Sequence, residues 1–165
     1  MPDSSHIKST PAPHPGAAHA SLHHSPELIL VVDDDANVRE SLGEVLTQEH
    51  YAVRLACDGR DAVRQFLDGP PDLVLLDVNM PDITGWQTFQ ILAQFYPFVP
   101  VMIITARPGQ ARRAADLGIS AFMEKPLDIP ILLQTVRELL AHPGSAHFAE
   151  ALRAWPTNDH LESQG

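Results

Sequence analysis

From Glu27 onward the apolar residues fall into two alternating patterns: short solid runs, and longer stretches in which they recur every three or four positions. Leu28–Val32 is wholly apolar and ends in two valines, as expected of a strand covered on both faces in a parallel sheet. Further strands are predicted over 51–56, 73–76, 101–104 and 120–123. Between them lie helical stretches. The first, Ala36–Gln48, sets Val38, Leu42, Val45 and Leu46 on one face, with Asp35 as N-cap. The second covers 59–67, with Ala62, Val63, Phe66 and Leu67 on its apolar stripe. A third follows the turn residues Pro81, Asp82 and Gly85, and its Trp86, Phe89, Ile91, Leu92 and Phe95 are assigned to the core. A short fourth helix spans 110–117 and stops at Gly118, and an amphipathic fifth spans 128–140.

Five strands and five helices in strict alternation define an α/β fold. The common arrangement is a flavodoxin-like, doubly wound, five-stranded parallel sheet in the order 2-1-3-4-5. With 165 residues, 44% of them hydrophobic, the chain can bury one ordinary core but is short for two full domains.

The flanks read differently. Residues 1–26 are rich in Ser, Pro, Ala and His without hydrophobic periodicity, the composition of a disordered tail. His6, His14, His19, His23 and His24 suggest metal binding at first sight, but no cysteine joins them and no spacing fixes a geometry, so a solvated tail is expected. The folded domain is placed at 27–142. The tail over 143–165 has room for one short helix around 146–154 and is too small for a helix-turn-helix output domain.

Charge and cysteine content exclude several functions. A formal charge of −10, with no basic stripe, argues against direct nucleic-acid binding, because phosphate backbones are gripped by clustered Lys and Arg. The single cysteine, Cys57, permits neither an internal disulfide nor a cysteine zinc site, and its place within an apolar, strand-like run marks it as inert filling. No secretory leader pattern and no stretch of about 18 apolar residues occurs, so no membrane insertion and a cytoplasmic location are expected.

The chemistry gathers at strand ends. In an open α/β sheet, ligands bind outside the carboxyl ends of the strands where strand order reverses, which for 2-1-3-4-5 is between strands one and three. Strand one ends in Asp33 and Asp34, and strand three in Asp77, so three carboxylates converge on that crevice. Such a cluster is costly without a cation, and an all-oxygen donor set suits Mg2+. Strand four ends with the hydroxyl of Thr105 and strand five with the ammonium of Lys125. A carboxylate nucleophile, a metal and two donors suit phosphoryl transfer to a carboxylate.

Four runs together resemble the receiver domain of two-component response regulators. They are Val31-Val32-Asp33-Asp34-Asp35, Leu75-Leu76-Asp77-Val78-Asn79-Met80-Pro81 through Gly85, Ile103-Ile104-Thr105-Ala106 and Glu124-Lys125-Pro126. The resemblance implies that Asp77 is the phosphoacceptor and that Asp33, Asp34, Asp77 and the backbone carbonyl of Asn79 hold Mg2+. It implies that Thr105 is the switch hydroxyl, Lys125 the phosphate-binding lysine and Phe122 the aromatic that turns inward with the switch. It also implies a cis peptide between Lys125 and Pro126. The partners implied are a histidine kinase or phosphotransfer protein upstream and an unidentified protein target downstream. No enzymatic turnover is expected. The stretch from Thr105 to Lys125 departs from the family by being a residue or two short.

Two rival readings use related chemistry. Haloacid-dehalogenase-like phosphatases also form an aspartyl phosphate, and Asp33 and Asp35 mimic half of their Asp-x-Asp motif. They need a second acidic pair after the lysine, where only Asp128 follows nearby. The other rival concerns output, since a phosphorelay intermediate or phosphate sink would use the same site as a regulator that switches a protein-binding face.

Overall fold

The structure is a computed structural model, and it describes residues 25–143. Ten elements alternate: β1 (Leu28–Val32), α1 (Ala36–Gln48), β2 (Ala52–Ala56), α2 (Gly59–Asp68), β3 (Leu73–Asp77), α3 (Gly85–Phe95), β4 (Val101–Thr105), α4 (Ala111–Asp116), β5 (Ala121–Glu124) and α5 (Ile129–Ala141). All strand pairs are parallel, and the sheet order is β2-β1-β3-β4-β5. The strand order read from the sequence is therefore the one observed.

The solid apolar runs are explained by the two faces they cover. Side chains alternate across a strand. Leu30, Val32, Val74, Leu76, Val101 and Ile103 enter a core shared with Phe66, Trp86, Phe89 and Leu92 from α2 and α3. Their neighbours Ile29, Val31, Leu73, Leu75, Met102 and Ile104 enter a second core with Leu42 and Leu46 of α1 and Leu132, Val136 and Leu139 of α5.

Helix starts follow their caps. The Asp35 carboxylate accepts the Asn37 N–H at 2.9 Å, as predicted, and Asp58 accepts the Asp61 N–H at 2.8 Å. Thr84 and Gln87 form a reciprocal capping box at the start of α3. In α5, Asp128 is the cap rather than the first helical residue, and a proline stands in the first turn. α2 has no basic residue in its last turn. Arg54 of the edge strand supplies one, donating to the Gln65 and Gly69 carbonyls at 2.8 and 2.6 Å.

Three core assignments are corrected. Leu67 and Phe95 are exposed, because each sits in the last turn of its helix beyond the layer that covers the stripe. Cys57 is exposed in the turn after β2, its thiol 3.8 Å from an Asp58 carboxylate oxygen, so it fills no core. Among the described residues no helix is long and apolar enough to cross a membrane. The tail predicted over 1–26 lies outside the described residues apart from its last two positions, and the short helix around 146–154 lies wholly outside them.

Candidate functional site

The carboxyl edge of the sheet assembles the predicted residues. Asp33 follows β1 and Asp77 ends β3; they are only 2% and 4% exposed, whereas Asp34 is exposed. Asp33, Asp34 and Asp77 each offer a carboxylate oxygen, and the three lie within 4.8 Å of one another. Lys125, just after β5, bridges two of them: its Nζ donates to Asp33 Oδ2 at 2.8 Å and to Asp77 Oδ2 at 3.1 Å. The β4–β5 ladder fixes the root of this lysine, since its backbone N–H donates to the Thr105 carbonyl at 2.8 Å. The Lys125–Pro126 peptide is cis.

The remaining oxygens are held by nearby backbone. Asp33 Oδ1 accepts the Asp35 N–H and Asp77 Oδ1 accepts the Asn79 N–H, both at 2.9 Å. Arg39 of α1 donates to the Asp33 carbonyl at 2.7 Å. Burial pushes the Asp33 carboxyl above its ordinary value, against the opposing pull of its bonds to Lys125 and the Asp35 N–H. Burial alone would lower Lys125, but Asp33 and Asp77 outweigh it and the ammonium is held above its ordinary value.

Three carboxyl groups against one ammonium leave the crevice with an excess of negative charge. A hard divalent cation fits this donor set, being all oxygen, partly exposed and close enough for one ion to touch more than one group.

Thr105, at the end of β4, is fully buried. Its hydroxyl oxygen accepts the Asn79 side-chain amide and the Arg107 N–H, each at 3.0 Å. Sequence reasoning gave Asn79 only a backbone role and missed this side-chain tie. Phe122, on β5 opposite Ile103, is half-buried against the α2–α3 core. Beside Asn79 opens a cleft of about 240 Å³ whose lining includes Thr84, Trp86, Arg107 and Arg113. There the Arg113 guanidinium lies 4.6 Å from the Trp86 ring centroid.

Gly85 supports Asp77 from behind. A β-carbon built on it would lie 2.1 Å from the Asp77 carbonyl oxygen and 2.5 Å from Val78 Cα, so the first turn of α3 packs on the backbone at the end of β3 itself. The sequence marked Gly85 as a turn residue and gave no sign of this contact. Gly59 makes a similar approach to α3, where an added β-carbon would meet the Thr88 hydroxyl at 2.3 Å.

This fold and this edge define a receiver domain, and comparison with known proteins agrees. The family model for the response regulator receiver domain matches residues 29–137. Response regulator MprA of Mycolicibacterium vanbaalenii is 40% identical over 117 residues, covering 70% of this chain and 51% of that protein. The chain thus spans about half the length of the curated relatives it matches. Among solved structures, response regulator protein TrrA of Thermotoga maritima, in complex with Mg(2+)-BeF, is 30% identical with a TM-score of 0.65, covering 68% of this chain and 98% of that one. A CheY-like receiver domain protein of Methanospirillum hungatei is 24% identical and shares the fold, with a TM-score of 0.67 over 71% of this chain and 95% of its own. The chain belongs to the response regulator receiver domain family and is part of two-component signalling.

Proposed function

We propose that the chain accepts a phosphoryl group on Asp77 from a histidine kinase or phosphotransfer protein. The single observation that carries this reading is the Lys125 ammonium, placed within hydrogen-bond distance of both Asp33 and Asp77 beside a third carboxylate. In the transfer an Asp77 carboxylate oxygen forms a bond to phosphorus as the bond to the donor's histidine nitrogen breaks. The electron pair of that bond stays with the donor nitrogen, and an acyl phosphate results. Lys125 neutralises equatorial phosphoryl oxygens and holds the aspartate in line.

Asp33, Asp34, Asp77 and the Asn79 carbonyl would hold Mg2+, whose bound charge offsets that of the incoming phosphoryl group. The reading is supported by the oxygen-only donor set and by the Mg(2+)-BeF complex of the Thermotoga maritima relative. Phosphorylation then draws the Thr105 hydroxyl away from Asn79 toward the new oxygens, and Phe122 turns into the space. The altered face of α4, β5 and α5 contacts a protein target rather than nucleic acid, and the phosphoryl group is held as a signal rather than turned over on a substrate.

The test is exposure to a small acyl phosphate donor with Mg2+, followed by intact mass. One base-labile phosphoryl group per wild-type chain and none on Asp77→Ala is the expected result. Equal labelling of the variant would overturn the assignment.

A further inference from the structure

The cleft beside Asn79 is lined by cations in a chain that is otherwise acidic. It lies between the stretch leading into α3 and the stretch leading into α4, and none of its lining comes from β5 or α5. At about 240 Å³ it falls below the roughly 300–1,000 Å³ of pockets for drug-sized ligands, so it suits a single side chain and its neighbour. Arg107 and Arg113 both line it, and Val78, Met80 and Trp86 give it buried apolar walls.

These arginines lack carboxylate partners where carboxylates abound. The chain carries 21 Asp and Glu against 11 Lys and Arg. Three of those cations, Arg107, Arg112 and Arg113, fall within residues 107–113, a stretch without an acid. Among the described residues every ion pair uses Arg64, Lys125 or Arg137 instead. Glu124, which reaches this loop, accepts the Gly109 N–H at 3.1 Å. Arg113 is nonetheless held in position, its guanidinium lying over the Trp86 ring at 4.6 Å from the centroid. A guanidinium on a ring uses its flat face, which leaves its in-plane N–H groups to grip a carboxylate through two parallel bonds.

We propose that the cleft docks an acidic segment of a partner protein, with an Asp or Glu carboxylate held between Arg107 and Arg113 and an adjoining apolar side chain against Met80 and Trp86. The net charge of −10 repels acidic proteins at long range, so the gain is confined to a segment that enters the cleft.

The test is fluorescence anisotropy of a labelled Gly-Leu-Glu-Glu-Leu-Gly peptide titrated with the full, unphosphorylated chain, so the outcome does not depend on transfer to Asp77. At an ionic strength of about 0.15 M, charges more than about 8 Å apart are largely screened. Saturable binding is expected, with the Gly-Leu-Gln-Gln-Leu-Gly counterpart bound about tenfold more weakly or worse. Arg107→Gln and Arg113→Gln should each weaken the acidic peptide about tenfold, the effect of losing one charged hydrogen bond. The Arg107 side chain is exposed, so its variant keeps the test decisive should loss of Arg113 disturb Trp86. Arg112→Gln removes the same charge next door but outside the lining, and should change affinity by less than about twofold. Equal losses in Arg112→Gln and Arg113→Gln would overturn the proposal, because a diffuse field would then be the cause. So would absence of binding, or succinate or inorganic phosphate binding as tightly as the peptide, which would make a free small anion the occupant.

Discussion

Replacing Gly85 with alanine tests whether the end of β3 is braced by α3. The added β-carbon would lie 2.1 Å from the Asp77 carbonyl oxygen, and real β-carbons essentially never approach within 3.0 Å, so the two backbones must separate by about 0.9 Å. β3 cannot yield, being laddered to β1 on one side and β4 on the other. The strain must go into the first turn of α3, which carries Trp86 and the capping box. Overpacking of this kind costs about 1–3 kcal/mol. At roughly 3–6 °C per kcal/mol for a domain of this size, the melting temperature should fall by about 3–18 °C. On the function proposed above, phosphoryl uptake should slow as well, because the clash is with the backbone of Asp77 itself. Gly69→Ala is the control: its φ of 174° suits any residue and its nearest neighbour, an Arg54 nitrogen, would be 3.8 Å away. Melting is followed by circular dichroism in both variants. If Gly85→Ala melts within a degree of wild type, the contact carries no strain and the reasoning fails.

Three further outcomes are expected. With metal chelated, Asp33→Asn should be more stable than wild type near neutral pH: burial lifts the folded carboxyl above its unfolded value of 3.8, so the folded state loses stability as pH rises from there through the lifted value. Lys125 would still pair with Asp77, and a urea-midpoint difference between the two proteins that did not change with pH would contradict this account. Asp34→Ala should weaken Mg2+ binding by about tenfold or more, measured by calorimetry, since the protein offers few ligands and each is a large share. Thr105→Ala should lose about 1–3 kcal/mol, because the Asn79 amide and Arg107 N–H are left without their acceptor. It should still take phosphate but lose the gain in target affinity produced by beryllofluoride, and an undiminished gain would rule Thr105 out as the switch.

The sheet was legible because its central strands are buried on both faces and therefore apolar throughout. Strand ends were read one residue short at Asp77 and Thr105, where polarity hides a residue that still pairs, Asp77 with Ile104 and Thr105 with Glu124. Periodicity names a helix face but not how far the covering layer extends, and for that reason Leu67 and Phe95 were placed inside. The convergence of Asp33, Asp34, Asp77, Thr105 and Lys125 was legible from topology, because parallel order brings the ends of β1, β3, β4 and β5 to one edge whatever the loops do, whereas Asn79 and Phe122 entered only through the family resemblance. The Asn79–Thr105 bond and the Gly85 contact were not legible, since each depends on the rotamer or the ångström-level approach of groups from separate elements.

The lysine bridge also dictates when in the life of a chain the crevice can exist. Lys125 follows Asp33 by 92 residues and Asp77 by 48, so its two bonds are among the most distant in sequence that the fold contains. Contacts of such separation form only after the intervening loops have closed. A chain still emerging from the ribosome presents both aspartates long before the ammonium that partners them, and it has no β5 to hold that ammonium in place. On the function proposed above, a nascent or truncated copy lacking β5 has no ammonium to meet the phosphoryl oxygens, and competence to accept a phosphoryl group arrives with the closing strand.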